Sequence, residues 1–145
     1  MRLASILAGS ILLAVTVGGC AQMARTATRP FGDWRLTQVR HVNQVLPASE
    51  WKQAFTLTLR EPDQASGTVA CNRWNSRVSF PDRDEMRLQP PASTKMKCLI
   101  DEPAAQSFER EYLHRLGQGA SYSVGQDKLT LKFADGAEWE FARQP

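Results

Sequence analysis

The sequence predicts a mainly β, α+β fold: a curved antiparallel sheet or incomplete β-barrel with one long helix covering its open side. Three observations carry this prediction. Apolar and polar residues alternate with period two in several segments, clusters of Pro, Gly, Asn and Asp punctuate them, and a single stretch has helical spacing. Many short strands leave sheet edges exposed, and a helix laid across the gap would protect them.

The alternation is clearest in two places. Phe55, Leu57 and Leu59 alternate with Thr56, Thr58 and Arg60, and Leu129, Leu131 and Phe133 alternate with Lys128, Thr130 and Lys132. Each segment has one apolar and one polar face, as a half-buried antiparallel strand does. Trp139 and Phe141, set against Glu138 and Glu140, mark the last strand. The preceding Asp135-Gly136 suits the positive φ angles of a tight hairpin, so 129–133 should pair with 139–141. Weaker strand signals lie at 34–39, 68–74, 77–80, 86–88, 95–99 and 121–124. The helix is expected over 103–116, with Asp101 as N-cap, Pro103 in the first turn and Gly117 as the stop. Ala105, Phe108, Tyr112 and Leu116 then form one stripe that must face the sheet. A short helical turn is expected over 50–54.

The start of the chain has a different character. Arg2 precedes an apolar stretch over 3–17, broken only by Ser5, Gly9, Ser10 and Thr16, the layout of a secretory signal peptide. It falls short of the about 20 apolar residues that a membrane-spanning helix needs. Val17-Gly18-Gly19-Cys20 resembles the lipobox of bacterial lipoproteins. That resemblance implies that 1–19 is a signal peptide and that Cys20 becomes the acylated, palmitate-bearing first residue of the mature chain. The alternative is an ordinary signal peptide cut elsewhere, with Cys20 an incidental thiol. Ala21 stands where an aspartate commonly signals inner-membrane retention in Gram-negative lipoproteins, which points to the outer membrane, facing the periplasm. Residues 20–30, polar and carrying Arg25 and Arg29, read as a lipidated flexible tether, and 31–145 as one domain.

The full chain sets 18 Lys and Arg against 15 Asp and Glu. Loss of Arg2 leaves the mature side chains at about +2, spread without the basic run that nucleic acid would call for. Cys71 and Cys98 remain, in a compartment where disulfides persist. A bridge between them would stabilise the domain by about 3–4 kcal/mol on the chain-entropy model. The alternative is two separately buried thiols.

Cys71-Asn72-Arg73-Trp74 and, further on, Ser93-Thr94-Lys95-Met96-Lys97-Cys98 resemble the two central motifs of the META domain family of HslJ-like heat-shock lipoproteins. Trp34-Arg35-Leu36, the helix residues Glu109, Tyr112, Leu113 and Leu116, and 127–131 match its other segments, so the resemblance covers 31 to about 143. Ala70 and Ser76 depart from it, standing where the family commonly carries glycine. The resemblance implies a compact β-rich envelope protein without established catalysis, with some members linked to stress or drug tolerance.

No catalytic, metal or cofactor site is expected. His41 and His114 lack metal-ligand spacing to each other or to the cysteines. A thiol nucleophile built on Cys71 or Cys98 would compete with the disulfide. Asn72, Arg73 and Trp74 are the candidate partner-binding residues, since Arg and Trp are over-represented where partners dock. The structural reading weighs against this: Asn72 bonding nearby backbone, Trp74 in the core, Arg73 in solvent. Thr94 and Lys95 should lie on a strand's polar face before Met96 turns inward. The chain is therefore expected to be a non-catalytic envelope lipoprotein, supporting stress or drug tolerance by binding a protein or peptide partner at a groove or sheet edge. The alternative is a periplasmic enzyme inhibitor, presenting a loop such as 81–85, or a carrier of a small apolar ligand.

Overall fold

The computed structural model describes residues 28–145, so the expectations for the signal peptide, Cys20 and most of the tether lie outside the described residues. The alternating segments become strands: β1 (Gly32–His41), β2 (Gln44–Leu46), β3 (Ala54–Arg60), β4 (Gln64–Ala70), β5 (Asn72–Ser79), β6 (Glu85–Leu88), β7 (Ala92–Ser93), β8 (Ala120–Val124), β9 (Lys128–Lys132) and β10 (Glu138–Arg143). The expected helix is α1 (Pro103–Gln118).

Eight of these strands form a closed antiparallel barrel in the order β1-β3-β4-β5-β6-β8-β9-β10, sealed where β10 returns to β1 from Trp34↔Arg143 to Arg40↔Glu138. The expected incomplete barrel is therefore closed. The physical reason is the length of β1, 10 residues, which serves β10 along one edge and β3 followed by β2 along the other. Closure removes the edges that a covering helix was expected to protect. Instead, α1 plugs one end of the barrel. The wall is thinnest at β6, which meets β5 only at Val78↔Leu88 and Ser79↔Arg87, and β8 only at Glu85↔Ser121 and Met86↔Ala120.

The inward faces follow the alternation. Leu57, Leu59, Leu129, Leu131, Trp139 and Phe141 are all buried, as is the helical stripe Ala105, Phe108, Tyr112 and Leu116. The ring of Phe108 lies 5.1 Å from that of Phe55 and 4.8 Å from that of Trp139, while Tyr112 stacks on Trp139 at 5.3 Å. One polar contact fixes the plug. The Tyr112 hydroxyl donates to the Thr56 carbonyl at 3.0 Å, and burial holds its phenol pKa well above the ordinary range, so it stays a donor. The β3–β4 ladder makes room for this bond: opposite Thr56, the Thr68 N–H donates to the Thr56 side-chain oxygen at 2.9 Å. Gly67 leaves space for the carbonyl, since a Cβ there would overlap the Thr56 oxygen.

Several local expectations are corrected. The helix N-cap is Glu102, without a side-chain cap bond, because Asp101 turns to Lys52 at 3.0 Å. The helix passes through Gly117 and stops at Gly119, whose φ of +88° leaves the helical region. The turn expected over 50–54 is a 3-10 turn at Ala48–Glu50, because Ala54 already begins β3. Residues 68–74 are two strands with a sharp turn at Ala70 and Cys71, not one strand. Ala70 takes a φ of +54°, the left-handed geometry that glycine adopts without cost and that costs alanine about 1–2 kcal/mol. Residues 95–99 form no strand. The final hairpin forms in the expected register, Trp139↔Leu131 and Phe141↔Leu129, although its turn needs positive φ at Gly136 alone.

Candidate functional site

The two central motifs meet at the helix-capped end of the barrel. β4 and β5 turn there through Cys71, and the chain after β7 passes alongside. Cys71 and Cys98 are bonded, with an S–S distance of 1.98 Å and a sequence separation of 27. No thiolate is available from either cysteine while that bond stands, which removes the thiol-nucleophile alternative for the bridged protein.

Asn72 organises the passing segment. Its side-chain oxygen accepts from the Met96 N–H at 2.8 Å and from the Thr94 hydroxyl at 2.9 Å, and its amide nitrogen donates to the Met96 carbonyl at 3.1 Å. The amide thus does for Met96 what a neighbouring strand would do, offering one acceptor and one donor to one residue's backbone. Its second amide hydrogen faces the Cys98 sulfur at 3.4 Å and the Glu109 carboxylate at 3.5 Å. Arg73 joins in through backbone alone: its N–H donates to the Thr94 hydroxyl at 3.0 Å and its carbonyl accepts from the Thr94 N–H at 2.9 Å. This clasp explains why 95–99 needs no ladder. A side chain and a disulfide hold it instead.

Of the three candidate partner-binding residues, Asn72 is buried in the clasp, Trp74 is buried in the barrel edge-on to Tyr112 at 6.3 Å, and only the Arg73 side chain faces solvent. Met96, expected to turn inward, is 57% exposed, because both its backbone groups face Asn72 and its side chain is left on the outside. Leu99 is 86% exposed.

Between the clasp and α1 runs a cleft of about 370 Å³, with Val69, Thr94, Lys95 and Met96 on one side and Glu109, Arg110 and Leu113 on the other. Arg110 is a site residue that sequence reasoning missed. The available signal was its helical spacing: three residues before Leu113, it shares that face of the helix. His41 and His114 do not enter this cleft. His41 lines a surface hollow with Asn43 and Gln44, and His114 lies beside Gln118 at 3.2 Å. Among the described residues, no group of three or more His, Cys, Asp or Glu is placed to hold a metal ion, and no helix is long and apolar enough to cross a membrane.

A protein-family profile described as META domain matches residues 29–145. Two solved structures share the fold. One, an NMR structure of a protein from Burkholderia xenovorans, is 22% identical with a TM-score of 0.63, covering 78% of this chain and 81% of that one. Another NMR structure is 20% identical with a TM-score of 0.57, covering 77% of this chain and 88% of that one. None of the curated proteins matches.

Proposed function

Taking as premise that the chain belongs to the META domain family, we propose that it is a non-catalytic envelope lipoprotein that supports stress or drug tolerance by binding a protein or peptide partner in the cleft between the clasp and α1. One observation carries the reading: Met96 is held by Asn72 through both of its backbone groups, yet presents its side chain to solvent beside that cleft. Because the backbone at Met96 is already held, the segment loses little backbone freedom when a partner covers this apolar side chain, which favours binding. The signal-like start and the lipobox-like Val17-Gly18-Gly19-Cys20 support a domain acylated at Cys20 and held at an envelope membrane, and confinement there would raise its effective concentration near a membrane partner.

The test compares complementation of a deletion strain under heat and envelope-targeting drugs. Wild type and a His41→Ala/His114→Ala form should restore tolerance equally. A Cys20→Ala form exported by an ordinary cleavable signal should restore it poorly. A folded, abundant histidine variant that failed would sink the non-catalytic reading, and equal activity of soluble and anchored forms would favour the diffusible inhibitor or carrier.

A further inference from the structure

Charge around the cleft is one-sided. Lys95 and Arg110 line it; Lys97, two residues past Lys95, and Arg73, held beside the clasp by its backbone bonds to Thr94, are both exposed. Among the described residues none of these four cations has an acidic partner within ion-pair distance. The single acid in the cleft, Glu109, faces the buried Asn72 amide. Sequence alone hides this cluster, because Arg73, Lys95, Lys97 and Arg110 come from three separate stretches, brought together by the disulfide and the helix. Apolar surface lies among the cations: Met96 and Leu113 in the cleft, and Leu99 just past the disulfide.

From this arrangement, and resting on the reading that the cleft binds a partner, we infer that the partner is an acidic protein segment. Its carboxylates meet Lys95, Lys97 and Arg110, and one of its apolar side chains lies against Met96 and Leu113. An anionic membrane has the same charge, but geometry favours the protein. The chain enters the barrel at the opposite end, where the Arg29 guanidinium sits 4.7 Å over the Phe80 ring and donates to the Asp82 carbonyl at 3.2 Å. Phe80 follows the last residue of β5, whereas Asn72 begins it, a separation of roughly 26 Å along the strand. The cleft thus lies at the barrel end remote from where the described chain enters, the side farther from an N-terminal lipid, which favours a protein segment over a bilayer as its occupant.

All described elements lie within 32–143 and close on themselves, so the chain from residue 20 onward, carrying Cys20→Ala, holds the whole fold. We would titrate it by fluorescence anisotropy with a synthetic peptide of Asp and Glu around one leucine, with the same peptide bearing serine for leucine, and with its Lys/Arg counterpart. Sedimentation with phosphatidylglycerol vesicles forms a parallel arm. The acidic leucine peptide should bind at least about tenfold tighter than either control, lose affinity as salt rises, and weaken about tenfold or more with Lys95→Glu/Lys97→Glu. Met96→Ser should weaken it with little change in salt dependence. Equal binding of acidic and basic peptides, or indifference to Lys95→Glu/Lys97→Glu, would overturn the inference, as would vesicle binding without peptide binding. A tolerance assay of the same charge variant separates the two levels. Lost tolerance with failed peptide binding would overturn the acidic segment and keep the cleft as the working site, whereas full tolerance with failed peptide binding would remove both.

Discussion

At the helix-capped end of the barrel, Phe108, Tyr112 and Leu116 fill the interior with apolar volume, and the disulfide and the Asn72 clasp hold the rim. At the N-terminal end the apolar closure is smaller, the Phe80 ring meeting Phe31 at 5.7 Å and Tyr122 at 6.0 Å with Phe31 and Phe80 only partly buried, and single polar and cation–π contacts complete it. The Arg143 guanidinium lies 4.1 Å over the Trp34 ring and its Nη1 donates to the Phe31 carbonyl at 3.3 Å, while Asp33 takes Arg60 at 2.6 Å and the Thr58 hydroxyl at 2.8 Å. The difference teaches where stability and function sit. Larger buried area, the disulfide and the Asn72 bonds at one end hold the backbone that carries Met96 and the basic cluster, whereas the other end relies more on contacts that are each small in water.

The largest expected effect breaks the apolar end. Trp139→Ala removes the ring against which Phe108, Tyr112 and Phe133 pack, and should cost about 3–5 kcal/mol in urea denaturation. Arg143→Ala at the other end should cost only about 1–2 kcal/mol. Similar losses at both ends would erase the contrast.

Next is the disulfide. Cys71→Ser/Cys98→Ser should lower stability by about 3–4 kcal/mol, and hydrogen exchange should show faster exchange over 94–99 while the β1–β10 ladder remains protected. Asn72→Asp sharpens the point. It keeps both accepted bonds but loses the donors to Met96, and it sets a new carboxylate beside Glu109, so about 1–3 kcal/mol should be lost, with Met96 backbone resonances shifted in NMR.

Much of this was legible in the sequence because burial of an alternating strand leaves a periodic trace. The inward faces of β3, β9 and β10 and the helical stripe from Ala105 to Leu116 stand where the periodicity places them. Closure was not legible, since it depends on how far β1 extends along two neighbours, a property of pairing rather than of residue type. The clasp escaped for a related reason. Residues 95–99 alternate in a strand-like way, but their partner is one Asn side chain remote in sequence, and no local pattern announces it. The basic cluster was invisible as a run because its members are contiguous only in the fold.

The smallest expected effect is in acid. Arg60 and Thr58 bonded to Asp33 hold its carboxyl below its ordinary value, and Arg115, helped by the Ala137 N–H, does the same for Asp135. A carboxylate with a depressed folded pKa contributes stability that is fully present above the unfolded value, about 3.9, and is lost as pH falls through the folded one. Both groups are substantially exposed, so each should contribute about 1 kcal/mol or less. Asp33→Asn and Asp135→Asn should each flatten the fall in melting temperature below about pH 4, one at each end of the barrel.

The most direct test of the account sets its two ends against each other in the cell. Lys95→Glu/Lys97→Glu reverses charge at the helix-capped rim, and Arg83→Glu/Asp84→Lys alters the exposed loop at the N-terminal rim that an inhibitor would present. Both pairs are exposed, so both variants should fold and accumulate like wild type. With abundance checked by immunoblot, the account predicts that the first variant loses heat and drug tolerance in a deletion strain and the second retains it. Tolerance lost through the loop variant and kept by the rim variant would contradict it.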